Sequence, residues 1–494
     1  MKNMNLSKLK SGTDIRGVAV EGEKGQSVEL TNEAVDLIAR AFYCWLDIKN
    51  PVIAVGRDCR ISGERISGAV MDALCDMGAK VLDFSLCTTP AMFMSTVLLN
   101  CDAAISVTAS HHPYNRNGLK FFTKQGGLDG KNISEILALC DNIKKGDSKG
   151  SIEKIDFLSQ YAAYLRDMIC SALDKGERPL QGLKISCDAG NGAGGFYASD
   201  VLAPLGADVS GSINLTPDGM FPNHIPNPEN EYAMSCACKM TTDSSADLGI
   251  IFDTDVDRAG AVGPDGTEIN RNRLVALASV LALEDCKGGV IVTDSVTSSG
   301  LKTFIEENLG GEHYRFKRGY KNVIDEAIRL ENEDGKVCPL AIETSGHAAF
   351  KKNYFLDDGA YLITRIIIKL AQLKSEGKSI GDLVKDLKEP EERKEIRLNI
   401  LEPDFKACGE KVIENLKEFV KSSDNLTEAD DNREGVRVYT DYGWFLLRLS
   451  VHDPVMPLNF ESDIKGKNEE MINLVYSFFK TQEGIDLSPF NKGE

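Results

Sequence analysis

A chain of 494 residues is too long for one hydrophobic core and reads as three or four domains. Its 42% hydrophobic and 27% charged residues are ordinary for a globular protein, and a net charge of −18 argues against a general binder of nucleic acid or anionic membrane. The thirteen cysteines are scattered and odd in number, and the closest pair, Cys236 and Cys238, has no matching second pair, so reduced thiols in a cytoplasmic protein are expected.

The N-terminus, MKNMNLSKLKSG, has lysines but no apolar segment, and a secretory signal is not expected. No apolar run approaches the ~20 residues of a membrane-spanning helix. SGTDIRG, Ser11 to Gly17, places Arg16 between a polar turn and a glycine, as a phosphate contact or as a surface residue. Short apolar runs ending in polar residues then come in pairs. PVIAVGRD is followed by DAAISVTAS, LKISCDAG by DLGIIFDTD, and GVIVTDSV by PLAIETSGH. Runs this short and apolar read as buried parallel strands, with helical patterns such as Ile66 to Met77 and Thr297 to Glu307 between them. Three α/β units of similar plan follow, each with a polar cluster at the end of its later strand, where open α/β sheets bind ligands.

Charged or polar stretches at Lys144 to Lys154, Gly263 to Gly266 and Leu387 to Lys394 mark the expected boundaries, giving domains 1–150, 151–264, 265–388 and 389–494. The tail has strand patterns at Ile396 to Ile400, Val436 to Tyr439 and Trp444 to Ser450, and helical patterns at Gly409 to Val420 and Glu469 to Lys480. The expected architecture is three similar α/β domains with mixed, mostly parallel sheets plus a smaller C-terminal α+β domain, the four placed around a central cleft.

Four polar clusters carry candidate chemistry. VTASHHPYNRNGLK, Val107 to Lys120, sets Ser110 after an apolar run, with His111 and His112 next to it. An Asn117–Gly118 pair, expected to turn tightly through positive φ, leads to Lys120. A nucleophile with a base and a cation at hand suits acyl or phosphoryl transfer; a polar surface loop is the plain alternative. DTDVDR, Asp253 to Arg258, alternates three carboxylates, as a hard cation such as Mg²⁺ requires, or forms a solvated acidic turn. It is no EF-hand, because Arg258 and Pro264 stand where that loop needs Gly and Glu. GNGAGG, Gly190 to Gly195, with Asp208 beyond it, fits a dinucleotide fingerprint and leaves a nicotinamide-dependent oxidoreductase as a distant alternative. ETSGH, Glu343 to His347, joins carboxylate, hydroxyl and imidazole groups suited to sugar hydroxyls, or is a capped loop. RFKRGYK, Arg315 to Lys321, is a basic patch in an acidic chain or a solvated helix start.

TASHHPYNRNGLK resembles the phosphoserine loop of the α-D-phosphohexomutase family, the phosphomannomutases and phosphoglucomutases, whose pattern is T-A-S-H-N-P-x-x-x-N-G-x-K; His112 replaces the Asn. SGTDIRG is similar to that family's Y-D-I-R-G segment, with Thr13 for the aromatic, and DTDVDR to its D-G-D-x-D-R metal loop, with Thr254 for Gly. ETSGH is similar to its G-E-x-S-G-H sugar loop, with Ile342 for the first Gly, and RFKRGYK to its K-V-G-F-K-like segment. RLSVHDP, Arg448 to Pro454, stands where the family has the phosphate loop R-x-S-G-T-E-P; His452 and Asp453 depart from it, and Asn459 stands where a trailing arginine is common.

The resemblance implies an isomerase-class phosphotransferase that interconverts hexose 1-phosphate and hexose 6-phosphate, of mannose and/or glucose. The route implied is a phosphoserine enzyme and a hexose 1,6-bisphosphate, which also serves as activator. It implies Ser110 as phosphoryl carrier, Arg16 facing the active site, and His111, Lys120 and His347 as candidate general acids and bases, the choice open. It implies Mg²⁺ on Ser110, Asp253, Asp255 and Asp257. The implied substrate contacts are Arg258, Lys317, Lys321, Glu343, Ser345, His347, Arg448 and Ser450; His452, which departs from the family pattern, is expected to join them and partly replace the charge lost at Asn459. A phosphosugar is the expected partner, without nucleic acid or membrane, on a monomer or homodimer. A phosphohexosamine mutase, or a non-catalytic phosphosugar-binding or structural protein on the same fold, is the alternative.

Overall fold

AAISV, Ala103–Val107, has no position that favours water, and it forms a strand buried at every residue. It runs parallel to Val52–Arg57, which runs parallel to Lys80–Leu86. On its other side Arg116–Thr123 is antiparallel, followed by Asp14–Val18, in a mixed eight-stranded sheet. The computed structural model describes residues 5–22, 25–143, 146, 149–450 and 453–491. These form two compact units, the described parts of Met1–Leu281 with Ser345–Val384, and of Ala282–Thr344 with Lys385–Glu494.

In the first unit, helices Asn32–Leu46 and Gly63–Asp76 lay Ile38, Phe42, Ile66 and Val70 against Ile53, Val55 and Ile105 of the sheet. Thr31 starts the first helix by accepting the Ala34 N–H at 3.2 Å. Two sequence expectations change here. Asn117 and Gly118 do not turn; they lie inside Arg116–Thr123, paired with Gly17 and Arg16. A Cβ on Gly118 would lie 2.6 Å from Ile15 O and 2.7 Å from Thr108 O, so glycine here permits close strand packing rather than positive φ. Ser151–Lys154, within the stretch read as a linker, is a strand parallel to Lys80–Leu86. All four of its residues are exposed, so no apolar run marks it.

The second sheet pairs Ile185–Asp188 parallel to Leu248–Phe252, which returns antiparallel as Ala259–Val262 and then Glu268–Ile269. Helix Glu231–Ser244 packs Ala233, Met234 and Ala237 on Ile251 and Val262. GNGAGG follows Ile185–Asp188, but its glycines make room for protein. A Cβ on Gly192 would lie 2.7 Å from Thr254 O, and the Ala193 N–H donates to that same carbonyl at 2.8 Å. The space a pyrophosphate would take is filled by the acidic loop. Ala348–Phe350 and Leu356–Asp357 form a hairpin leading to helix Gly359–Lys374, which Asp358 caps through Tyr361 N at 2.9 Å.

In the second unit, Val290–Thr293 runs parallel to both Glu312–Arg315 and Leu340–Ile342. The tail is a five-stranded antiparallel sheet ordered Glu392–Asn399, Val455–Ser462, Gly443–Leu447, Val436–Thr440, Thr427–Glu428. Helices Phe405–Lys421 and Lys467–Phe479 pack Leu416, Val420, Val475 and Phe479 against Leu398, Phe445 and Leu458. Val455–Ser462 was absent from the sequence expectation, its pattern being interrupted by Pro457.

Candidate active site

Ser110 and the three aspartates occupy two turns of the first unit. The serine turn joins the antiparallel strands Ala103–Val107 and Arg116–Thr123, and the acidic turn joins Leu248–Phe252 to Ala259–Val262. Both turns hold non-glycine residues at positive φ, Ser110 at 53° and the β-branched Val256 at 68°, a conformation costly enough to persist only where the surroundings impose it. Ser110 is 3% exposed; its hydroxyl donates to Asp253 Oδ2 at 3.3 Å and accepts from Arg258 Nη2 at 2.8 Å. His111 Nδ1 lies 3.2 Å from the same hydroxyl and makes a short contact with Arg258 Nη2.

Asp253, Asp255 and Asp257 are buried, and one carboxylate oxygen from each lies within 4.8 Å of the others. Lys120 reaches across from Arg116–Thr123 to Asp255 Oδ2 at 2.9 Å and also contacts Asp257 Oδ2. The remaining oxygens, Asp255 Oδ1 and Asp257 Oδ1, are buried and accept no hydrogen bond. Burial, together with the negative Asp257 and Asp255, raises Asp253 well above the carboxylate range. Burial also acts to raise Asp257, but Lys120, His347 and Arg258 outweigh it and hold its pKa low. Converging carboxylates with vacant buried lone pairs are the donor set of a hard divalent cation, and the cluster fits Mg²⁺.

His347 also joins this cluster. It follows Gly346, whose φ is 95° and whose Cβ would lie 2.6 Å from Ala259 O. His347 Nδ1 contacts Asp357 closely and stands 4.0 Å from Asp257. Burial acts to lower its pKa, but Asp357 and Asp257 outweigh this, and the net direction is upward. His111 goes the other way, to about 2, through burial and the positive Arg258, so its imidazole stays neutral. Arg16 donates to Asp14 at 2.6 and 3.1 Å, and its charge further depresses both His111 and His112.

The second unit carries its own polar cluster. Asp294, at the end of Val290–Thr293, accepts the Thr344 hydroxyl at 2.8 Å, and burial with the nearby Glu343 pushes its pKa up to about 7. Glu343 accepts the Gly319 N–H at 2.6 Å. Arg448 is buried and lies 3.8 Å from Glu434, which accepts the Arg318 N–H at 3.1 Å and the Ser295 hydroxyl. Ser450 accepts the Asp453 N–H at 3.2 Å. Lys317 is exposed, and Lys321 pairs with Asp325 on its own helix. Ser345, in the first unit, is buried with a hydroxyl that has no partner. His452 lies outside the described residues.

Several residues of these clusters escape the sequence reading. Thr89 donates to Asp255 Oδ2 at 2.6 Å, and its N–H donates to the Asp255 carbonyl at 2.9 Å. Asp357 orients His347, and Arg318, within the basic stretch RFKRGYK but not singled out there, acts to lower the pKa of Asp294. The only signal for Asp357 was a paired carboxylate ahead of a helix; for Thr89 there was none.

Three family descriptions match the chain: "Phosphoglucomutase/phosphomannomutase, alpha/beta/alpha domain I" over residues 8–147, domain II over 160–266 and domain III over 270–390. The chain is 31% identical over 483 residues to a phosphomannomutase/phosphoglucomutase of Pseudomonas aeruginosa, covering 96% of this chain and 95% of the relative. It is 30% identical over 467 residues to a phosphoglucomutase of Neisseria gonorrhoeae, covering 93% and 94%. A crystal structure of a phosphoglucomutase/phosphomannomutase family protein from Burkholderia thailandensis superposes with a TM-score of 0.80 at 26% identity, covering 98% of both chains. With a buried serine beside a carboxylate cluster suited to Mg²⁺ and 30–31% identity along nearly its whole length, the chain belongs to the phosphoglucomutase/phosphomannomutase family of α-D-phosphohexomutases and is an isomerase-class phosphotransferase.

Proposed function

We propose that the chain interconverts aldohexose 1-phosphates and 6-phosphates through phosphorylated Ser110 and a hexose 1,6-bisphosphate. The observation that carries this reading is the Ser110 hydroxyl, buried at a strand end and held between Asp253 and Arg258. In the first half-reaction the Oγ–P bond of phosphoserine breaks, phosphorus bonds to a sugar hydroxyl oxygen, and that hydroxyl's proton passes to a base of the chain. The bisphosphate reorients, and the reverse chemistry returns its other phosphoryl group to Ser110. Bound Mg²⁺, held by Asp253, Asp255, Asp257 and the serine oxygen, supplies charge neutralisation for the transferring group. Arg258, Lys120 and Arg16 add fixed positive charge around the same oxygens.

Lys120 and His347 are the preferred proton carriers, because Lys120 donates to Asp255 and His347 Nδ1 faces the Asp357 carboxylate. His111 suits the role less, since its Nδ1 faces the Arg258 guanidinium. In this reading Arg448, Ser450, Lys317, Lys321 and His452 bind the phosphate that does not react, with Arg318 added to them, while Glu343, Ser345 and His347 bind sugar hydroxyls. The division 1–150, 151–264, 265–388 and 389–494 is retained as the proposed domain plan.

The test is a mutase assay on glucose, mannose and glucosamine 1-phosphates with a trace of the matching bisphosphate. Peptide mass spectrometry then locates the enzyme-bound phosphate. Turnover of at least one hexose with phosphate on Ser110, both lost in Ser110→Ala, is the expected result. An active Ser110→Ala variant, or phosphate on another residue, overturns the reading.

A further inference from the structure

Arg60 is 1% exposed, as deeply buried as the core phenylalanines. Its guanidinium faces the inside of the serine turn. Nη2 donates to the carbonyls of Ser110 and His112, the latter at 2.6 Å, and Nη1 to those of Pro113 at 2.7 Å and Arg116 at 3.1 Å. Four carbonyls of one turn thus converge on one cation. Its Nε lies 3.2 Å from Asp58 Oδ2, and Asp58 accepts the Arg60 N–H at 2.9 Å and the Thr108 hydroxyl at 2.7 Å. Thr108 Oγ1 in turn accepts the Ser110 N–H at 2.9 Å.

The Ser110 residue is therefore held through both of its backbone polar groups, its N–H by way of Thr108 and Asp58, its carbonyl by Arg60. Fixing both groups selects the 53° φ of Ser110, which a serine does not favour unaided. With the backbone engaged by this pair, the hydroxyl is left to Asp253 and Arg258. The four N–H groups on the two terminal nitrogens of a planar guanidinium can meet four carbonyls while its Nε stays beside Asp58 as an ion pair; a lysine ammonium, a point charge with three donors, cannot.

A segment from the second sheet's region covers this network. The Phe221 ring lies 5.2 Å from the Arg60 guanidinium carbon, and Phe221 itself sits at φ 50°, an outlying conformation for an aromatic residue. The cover fits closely: a Cβ on Gly219 would lie 2.5 Å from Cys59 O and 2.6 Å from Ile61 N. Excluding water strengthens each charge–carbonyl bond beneath it.

We propose that the Arg60–Asp58 pair, sealed by Phe221, is the positioning element of the serine turn, setting Ser110 in its left-handed conformation so that Oγ meets Asp253 and Arg258. It acts through the loop backbone and not on the substrate, and it rests on the proposed role of Ser110 as phosphoryl carrier.

The test compares wild type with Arg60→Lys, which keeps the charge and loses the fork. Kinetic constants are taken per folded molecule below the melting temperature, and the crystal structure of the variant is determined. The expected result is a kcat about 10²-fold lower, as misplacement of a reacting group by ~1 Å produces, with KM changed less than about twofold, and Ser110 outside the left-handed region. Wild-type kcat per folded molecule, or Ser110 unmoved in the variant, overturns the proposal. If wild type turns over no hexose phosphate, the proposed function fails, and the conformation of Ser110 in Arg60→Lys decides the positioning role alone. Should Arg60→Lys not fold, Phe221→Leu, which only thins the cover, is read by the same two measurements. A lower kcat at constant KM with a displaced Ser110 supports the proposal, and wild-type values with Ser110 in place overturn it.

Discussion

Thr89 does for one carboxylate of the candidate metal cluster what Arg60 does for the serine backbone. Its hydroxyl fixes Asp255 Oδ2 and its N–H fixes the Asp255 carbonyl, leaving Oδ1 buried without a hydrogen-bond partner. Groups that orient a ligand are worth ~10–100-fold in metal affinity. Thr89→Val should therefore weaken Mg²⁺ binding by about that factor while the protein stays folded, as read by calorimetric titration. Asp255→Asn, which removes a charge as well as an oxygen donor, should weaken it further and lower turnover in parallel. Wild-type Mg²⁺ affinity in Asp255→Asn would show that this carboxylate holds no ion.

At the scale of single elements, the loop before Ala348–Phe350 depends on Gly346. Its φ of 95° and the 2.6 Å approach to Ala259 O leave no room for a side chain. Gly346→Ala should cost about 1–3 kcal/mol, and because the loop must shift to relieve the clash, it should displace His347 from Asp357. Loss of turnover beyond the loss of folded protein is the expected readout.

The strand Val455–Ser462 gives a second test at this scale. Glu461 is buried, accepts the Trp444 indole N–H at 3.0 Å, and is pushed up to about 7, chiefly by burial and against the pull of Arg393 and Arg437. A carboxyl raised on folding contributes stability that is fully present below its unfolded value near 4.5 and is lost as pH rises through about 7. The span is on the order of 3 kcal/mol. Glu461→Gln, which keeps the indole acceptor, should flatten the fall in melting temperature between pH 5 and pH 8 and melt above wild type at the upper end. Parallel melting curves for the two proteins across that range would remove Glu461 as the titrating group.

For the whole molecule, the distribution of charge matters more than its sum. A net charge of −18 surrounds a cluster in which Lys120 and Arg258 meet the aspartates, while Arg16 pairs with Asp14 and adds its charge beside His111. All three candidate metal carboxylates belong to the first unit, and the antiparallel tail belongs to the second. An ion that binds only the folded form of a site stabilises that form by about 2.7 kcal/mol at a hundred times its dissociation constant. Scanning calorimetry should accordingly show Mg²⁺ raising the melting of the first unit and leaving the second unit's transition in place. A uniform shift of the whole profile would show that the two units melt as one.

The sequence by itself determined three pairs of buried parallel strands and the polar loops at their ends. Val52–Arg57 with Ala103–Val107, Ile185–Asp188 with Leu248–Phe252, and Val290–Thr293 with Leu340–Ile342 pair in parallel as their apolar runs predict. A buried strand must be apolar along its length, and a polar cluster at its end has nowhere to lie but in a loop, so both are visible in one dimension. What leaves no local trace is a contact whose two halves are far apart in the chain. Only the tertiary structure placed Thr89 on Asp255, Lys120 on Asp255 and Asp257, and Arg60 under the Ser110 carbonyl, across 166, 135, 137 and 50 positions respectively. It also decided that Asn117 and Gly118 extend a strand, because pairing on both sides of Arg116–Thr123 outweighs the turn preference of two residues.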